Sequence, residues 1–269
     1  MNLRPSFLKS PNIPVIAWIT YDTGNTVFFT GVMGLLFPLW ITKVMGGDDA
    51  TLGFTLAIAM AIVFFISPIL GTVSDQTGKR RSFLVVFTIL FITSGLFIGA
   101  SGLEVSLAFF ALGVIAIHIA DIFYNALLED VSNPKNMGVI AGLGVGLGYI
   151  GAIVAVLISF MWMDTLGHLN VIRILSILML SLTLPLMLVA KDKSRDQPTG
   201  NSSISVLAQL FLQRVITSIK TLKTQPTWTR FLIARFWYMW AINAAGAFLV
   251  LYGIETLRLS DRQVHIVML

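Results

Sequence analysis

One charged stretch decides the fold of this chain: residues 71–81 read GTVSDQTGKRR, and a long apolar run lies on each side of them. Gly71 and Gly78 permit tight backbone packing and a sharp turn. Asp75 can cap a helix end or hold a basic partner. The basic cluster that ends the stretch, with Arg80 and Arg81, is typical of a loop that stays in the cytoplasm. The stretch is therefore predicted to join two membrane spans, either as an ordinary positively charged loop or as a conformational latch.

The composition on either side of this stretch is that of a membrane protein. The chain has 269 residues, of which 56% are hydrophobic and 12% charged, and its mean hydropathy is +0.86. Soluble chains carry about twice that charged fraction. The apolar runs are long enough to cross a bilayer, where only helices or closed barrels satisfy the backbone. Because the runs do not alternate polar and apolar residues, a barrel is excluded. We predict an all-α polytopic membrane protein.

The apolar runs divide the chain into three regions. The predicted spans cover residues 15–44, 52–74, 82–100, 103–127, 138–161, 169–190 and 230–252, and another begins at 261–269. We therefore expect a six-helix N-terminal bundle over 1–190, a polar cytoplasmic connection over 191–229, and the start of a second bundle over 230–269. Within the connection, apolar residues recur at helical spacing and predict a helix on the membrane surface. They are Ile204, Leu207, Phe211, Val215, Ile219 and Leu222.

The basic residues indicate how the spans are oriented. A net charge of +5 suggests a nucleic-acid partner at first, but the basic residues are concentrated in alternate connections, which is a sign of topology. The richer set is Arg4, Lys9, Lys79, Arg80, Arg81, Lys135, Lys191, Lys193, Arg195, Arg214, Lys220, Lys223 and Arg230. We predict that this set is cytoplasmic, that the N-terminus is inside, and that the protein lies in a bacterial cytoplasmic membrane without a nucleic-acid partner. The absence of cysteine excludes disulfides and cysteine metal sites.

Ionisable residues inside spans are costly and mark functional sites. Spans one and four each present an acid and an amide on one helix face, in the cytoplasmic half of the bilayer, with a tyrosine or a histidine beside them. The six candidates are Tyr21, Asp22, Asn25, His118, Asp121 and Asn125. Two roles remain open for the acids: a proton-coupling centre, or a fixed charge for a cationic or zwitterionic solute. The alternative is a set of interhelical hydrogen bonds that holds the bundle together.

The glycine run in span five requires its own interpretation. Gly146, Gly148 and Gly151 match the spacing of a dinucleotide-binding turn, but no strand precedes them and they lie inside a span. We reject nucleotide binding and predict no cofactor and no metal. Glycines recur every four residues in two series, Gly138, Gly142 and Gly146 in one and Gly144 and Gly148 in the other. This spacing fits close helix–helix contact. These glycines, with Gly151, are predicted to pack helices.

Several of these stretches resemble one family of transporters. The spacing within 71–81 resembles the signature loop between spans two and three of the major facilitator superfamily. Residues 18–25, 124–130 and 148–151 read WITYDTGN, YNALLED and GYIG, and they are similar to the autophagy-related vacuolar effluxer branch. The resemblance implies two six-helix halves, of which the second is largely missing here, and secondary transport of a small solute, with protons as a possible partner. The branch implies amino-acid efflux. Span seven departs from the pattern, because Trp240-Ala241 stands where relatives tend to carry Asp-Gly.

Other classes of function are less well supported by the sequence. Tyr21-Asp22 is like one half of an intramembrane aspartyl protease, but the Gly-x-Gly-Asp partner is missing. Metalloprotease, serine-hydrolase and ATP-binding motifs are also missing. We therefore expect no enzyme activity. A non-transporting receptor or scaffold remains the other alternative.

Overall fold

The computed structural model describes residues 13–192 and 224–268, with positions 213, 216, 217, 220 and 221 between them. Every element in those ranges is helical. The elements are α1 (Ile13–Val27), a π-helical segment (Phe28–Leu36), α2 (Phe37–Lys43), α3 (Asp49–Thr77), α4 (Arg80–Phe97), α5 (Leu103–Val131), α6 (Met137–Val189), α7 (Pro226–Glu255) and α8 (Asp261–Met268). Five helices are long and apolar enough to cross a membrane, or six if the bent α7 counts as one span. The predicted all-α polytopic fold is confirmed. Most of the amphipathic stretch within 191–229 lies outside the described residues.

Helix α6 contains two of the predicted spans. Its 53 residues would extend about 80 Å at 1.5 Å per residue, far more than the roughly 30 Å of a bilayer core. Gly167 interrupts it with φ 76° and ψ 162°, a conformation that favours glycine. This break lies between the spans predicted at 138–161 and 169–190, as expected if each half of α6 is a separate span.

The two ends of α3 are fixed by local chemistry. Asp48 caps the N-terminus, since its carboxylate accepts a hydrogen bond from the Thr51 amide at 2.8 Å. Hydrogen bonds to Thr51 also lower the pKa of Asp48, which lies outside the spans. Gly78 ends the helix with φ 68°, and its amide donates to the Ser74 carbonyl at 2.9 Å. The sharp turn expected at Gly78 is therefore present.

Span one, from Ile13 to Lys43, is the central helix of the bundle. In its most apolar window 72% of residues are buried, against 11% for α3, so α3 lies at the periphery of the described structure. The aromatic side chains of span one pack against neighbouring helices. The rings of Phe37 and Phe110 stack with centroids 3.8 Å apart, and the ring of Phe28 packs against that of Phe91 at 5.4 Å. Residues of span one are therefore the best placed to contact several other spans at once.

The π-helical segment is an irregularity in this central span. It covers nine residues from Phe28 to Leu36 and lies between two regular α-helices. On one side, Gly31 lies so close to α6 that an added Cβ would be 2.4 Å from Leu175. Segments of π-helix are rare and frequently occur at functional sites, which directs attention to the opposite side of this segment.

Candidate functional site

Span one and the predicted fourth span, which is α5, are joined by a polar contact inside the bundle. The Asn25 side chain donates its amide hydrogen to Asp121 Oδ1, and Asn25 is only 4% exposed. The other side-chain atom of this amide, Asn25 Oδ1, is buried without a hydrogen-bond partner in the described part of the chain. The structure therefore brings the predicted acid of span four to the predicted amide of span one. It leaves one polar atom there unsatisfied, which is unusual in a folded protein.

Aromatic residues surround this contact. The Tyr124 ring stacks on Trp18 with centroids 4.4 Å apart and on Tyr21 at 4.9 Å. Trp18 Nε1 donates to the Tyr124 carbonyl at 3.0 Å, and the Tyr21 hydroxyl hydrogen-bonds to Thr88 Oγ1 at 2.8 Å. Tyr21, one of the predicted site residues, is fully buried. Its hydroxyl links span one to α4, so its position is that of a packing residue.

Asp22 faces a different neighbour, the glycine face of α6. A Cβ added to Gly148 would lie 2.9 Å from Asp22 Oδ2. Along the same face, a Cβ on Gly144 would lie 2.6 Å from the Trp18 ring, and one on Gly151 would lie 2.2 Å from the Thr23 carbonyl oxygen. All three glycines are buried, so α6 packs against α1 through small residues, as membrane helices commonly do.

The other predicted packing glycines have a different environment. Added Cβ atoms at Gly142 and Gly146 would meet no described atom within 4 Å, and the same holds for Gly71. At about 100° per residue, Gly142 and Gly146 lie on the face of α6 opposite to Gly148. Within the described residues, the helix contact thus runs through Gly144, Gly148 and Gly151.

A large cavity lies beside span one. Its volume is about 960 Å³, and it is lined by residues of span one, α3, α5 and α7. Four residues of the π-helical segment line it: Phe29, Thr30, Met33 and Gly34. Of the six predicted site residues, only His118 lines this cavity, where its ring packs edge-on against Phe29 at 5.3 Å. The six candidates therefore do not surround one common space.

The last two candidates are separated as well. Asn125 is exposed, and its side chain bonds to the Asp121 carbonyl of its own helix at 2.8 Å. His118 lies one helical turn from Asp121, but within the described residues the two side chains share no hydrogen bond. The expected common face of α5 is divided between a helix contact, the cavity and the helix's own backbone.

The sequence reasoning missed Arg235, which lines the cavity from α7. It lies nine residues after the first residue of α7, Pro226, and five residues into the span predicted at 230–252. The signal was present in the sequence, since a permanently charged residue inside a span is a functional candidate by default.

The loop at 71–81 is organised around Arg80. Its guanidinium lies 3.3 Å from Asp75 Oδ1, 3.4 Å from Glu129 Oε2 and 3.9 Å from Asp130 Oδ2, and it donates to the Ala126 carbonyl at 3.0 Å. The basic partner expected for Asp75 is therefore Arg80. The contact with Glu129 and Asp130 ties the start of α4 to the end of α5.

The predicted latch residue Arg81 contacts the end of α6, together with Asp192, which was not predicted. Arg81 Nε donates to the Met187 carbonyl at 2.8 Å. Asp192 accepts hydrogen bonds from the Arg81 amide at 2.8 Å and the Ser82 amide at 3.2 Å, so it caps the N-terminus of α4 from a distant part of the chain. In the sequence, Asp192 stands out only as an acid between Lys191 and Lys193. No local pattern predicts that it caps α4.

Comparisons with known proteins agree with this architecture. The sequence profile of the Major Facilitator Superfamily matches residues 23–269. An uncharacterized MFS-type transporter, YxiO, of Bacillus subtilis (strain 168) is 31% identical over 163 residues, which are 57% of this chain and 37% of that protein. An uncharacterized protein of Aquifex aeolicus (strain VF5) is 29% identical over 185 residues, 67% of this chain and 46% of that protein. The chain thus spans less than half the length of these curated relatives.

The profile match covers nearly the whole chain, and the apolar helices and the loop between α3 and α4 agree with it. The chain belongs to the Major Facilitator Superfamily.

Proposed function

We propose that this chain forms part of a secondary transporter that moves a small solute across a membrane by alternating access. The observation that carries the proposal is the cavity of about 960 Å³ between span one, α3, α5 and α7. Its volume lies within the range of about 300–1,000 Å³ that is usual for small-molecule sites. The family and the printed name of the Bacillus relative support transport as the activity.

The polar contact between spans one and four is proposed as the coupling centre rather than as the wall of the solute site. Asp22, Asn25 and Asp121 lie inside spans, and the unsatisfied Asn25 Oδ1 leaves a place for a further hydrogen-bond donor. His118 lies one turn before Asp121 and lines the cavity, so it connects the two regions. A proton taken up at this centre would couple transport to a pH gradient, whereas a fixed charge there would only select the solute.

The loop at 71–81 is proposed as a conformational latch. Arg80 and Arg81 hold the ends of α5 and α6 at the start of α4. A rocking motion that separates these helix ends has to break these contacts together, which favours two discrete states. The rival interpretation is that the loop only fixes topology.

Four further features belong to the same proposal. The first is that the N-terminus is cytoplasmic and that the membrane is the cytoplasmic membrane of a bacterium, on the distribution of basic residues. The second is the division into a bundle over 1–190, a connection over 191–229 and the start of a second bundle over 230–269. The third is that the chain works together with a second six-helix half. The fourth is that amino acids are the first solutes to test, because residues 18–25 and 124–130 resemble the effluxer branch.

The test is solute flux in proteoliposomes that contain the purified protein, against a panel of amino acids and other small solutes, with and without a pH gradient. Asp121→Asn should abolish the response to the gradient if the acid couples protons, and it should weaken solute binding if the acid is a fixed charge. Glu104→Gln is the matched control, since Glu104 is an exposed acid in the first turn of the same helix. If no solute moves in any condition, transport is the wrong function. If Asp121→Asn behaves like the control, the contact is structural.

A further inference from the structure

Arg235 is the most informative residue that the mechanism above leaves unused. It lies about 14 Å along α7 from the first residue of the helix, at 1.5 Å per residue. An arginine guanidinium is a cation with five N–H donors. A cation inside a span is costly unless it faces an aqueous cavity or an anion. Arg235 is exposed in the described structure, and it lines the cavity.

The charge of Arg235 is not balanced by the protein around it. Among the described residues that line the cavity none is acidic, and within the described part of the chain Arg235 has no ion-pair or hydrogen-bond partner. The other titratable group among the described residues of the wall is His118. Arg235 is therefore the charged side chain of this part of the wall, and the acids Asp22 and Asp121 do not line the cavity.

Most of the remaining wall is apolar. Seven of the twenty lining residues are methionine, phenylalanine or tryptophan: Phe29, Met33, Met60, Phe236, Met239, Trp240 and Phe248. Such a lining favours an organic body over an inorganic anion, because burying apolar surface on both sides is favourable and flexible methionines adapt to different shapes. Two uncharged polar side chains also line the described wall: Thr30 of span one, and Asn243, which lies about 12 Å along α7 from Arg235 and donates its side-chain amide to the Met239 carbonyl at 2.8 Å.

We propose that Arg235 binds a carboxylate, so that the cavity takes a small organic solute with one anionic carboxylate and an apolar body. The planar guanidinium offers two parallel N–H donors, which match the two oxygens of a carboxylate. The proposal rests on the proposed transport function and deepens it by naming the class of substrate. It also gives the anion-binding element to α7, whereas the sequence candidates are all on spans one and four.

The natural absence of cysteine makes a direct test possible. Met239→Cys places a single thiol on the cavity wall one helical turn from Arg235, about 6 Å along the axis. In the full chain in detergent micelles, its rates of modification by 2-sulfonatoethyl and 2-(trimethylammonio)ethyl methanethiosulfonate report the local potential. Arg235→Gln should lower the anionic-to-cationic rate ratio at least about tenfold, whereas Arg235→Lys should largely keep it. A control thiol from Ser101→Cys, on the exposed loop between α4 and α5, should show no change.

The class of ligand is tested by protection of the Met239→Cys thiol. We expect 3-phenylpropionate to slow its modification, 3-phenylpropanamide of the same shape to protect at least about tenfold less, and Arg235→Gln to remove the difference. Equal protection by both compounds, better protection by 2-phenylethylamine, or no protection by any of them would overturn the proposal. An unchanged rate ratio in Arg235→Gln would also overturn it, since the guanidinium would then extend to the membrane surface. Protection measures binding alone, so carboxylate protection without solute flux would refute transport and leave the carboxylate site in place.

Discussion

The close contact between α6 and α1 predicts that two similar substitutions on one helix have opposite effects. At Gly151, an added methyl group would lie 2.2 Å from the Thr23 carbonyl oxygen. That oxygen belongs to the backbone of α1 and cannot rotate away, so the helices have to separate by about 1 Å to reach an ordinary contact of 3.4 Å or more. At Gly146, by contrast, the added methyl group meets no described atom within 4 Å.

The magnitudes follow from two competing terms. Alanine favours the helix over glycine by about 0.8–1.0 kcal/mol, and this gain applies at both positions. Forcing an extra methyl group into a packed interface costs about 1–3 kcal/mol, and this cost applies only at Gly151. The free energy of unfolding should therefore fall by up to about 2 kcal/mol in Gly151→Ala and rise by up to about 1 kcal/mol in Gly146→Ala.

The assay is thermal unfolding of the purified protein in detergent, followed by intrinsic tryptophan fluorescence. Gly144→Ala gives an intermediate case, because the atom it meets belongs to the Trp18 side chain at 2.6 Å and a ring can shift where a backbone oxygen cannot. Gly142→Ala repeats the open control. A Gly151→Ala variant as stable as Gly146→Ala would refute the reasoning, since it would mean that α6 does not pack on α1 at this distance.

Three further changes are predicted. Asp75→Asn removes a carboxylate 3.3 Å from Arg80, so it should slow solute flux in proteoliposomes while leaving membrane insertion intact; unchanged flux would remove the latch role. Asp192→Ala should lower the free energy of unfolding by about 1 kcal/mol because α4 loses its cap, and Asp192→Asn, which keeps an acceptor, should cost less. Tyr21→Phe leaves the buried Thr88 hydroxyl without its partner and should lower the free energy of unfolding by about 1–3 kcal/mol. Adding Thr88→Val should restore part of this loss, and additive losses in the double variant would contradict the prediction.

The spans were predictable because bilayer thickness and backbone satisfaction leave few alternatives. The predicted range 52–74 became Asp49–Thr77, and 103–127 became Leu103–Val131. Five of the six additional residues in α3 are polar, as are two of the four in α5, and hydropathy assigns such helix ends to loops although the helix continues through them. The π-helical segment was not predictable, because its sequence FFTGVMGLL is as apolar as an ordinary span.

The candidate site was harder to predict because helical periodicity gives a face but not its neighbour. His118 and Asp121 differ by about 60° around α5, and this angle is enough to place one on the cavity and the other against Asn25. Asn125 lies between them in angle and still turns to its own backbone. Which face of α5 contacts another helix depends on where span one and α7 pack. That packing belongs to the tertiary structure and cannot be derived from helical periodicity.

A faint repeat in the sequence has a structural counterpart at two of the helix breaks in the described part of the chain. Asp75 stands three residues before Gly78 and Asp164 three residues before Gly167, and both glycines have a positive φ, 68° and 76°. An acid in the last turn of a helix opposes the helix dipole, so each needs a cation nearby. Arg80 lies 3.3 Å from the first acid, and Arg262 lies 3.6 Å from the second.

The two ion pairs nevertheless differ in strength. Asp164 and Arg262 have side chains 59% and 72% exposed, and such pairs contribute about 0–1 kcal/mol. Arg80 is only 22% exposed, and it also contacts Glu129, Asp130 and a backbone carbonyl. In the proposed alternating-access cycle, opening at Gly78 would break several contacts together, whereas opening at Gly167 would break one weak pair. The same glycine turn occurs at both breaks, so the proposal predicts that the end at Gly78 opens less readily than the end at Gly167.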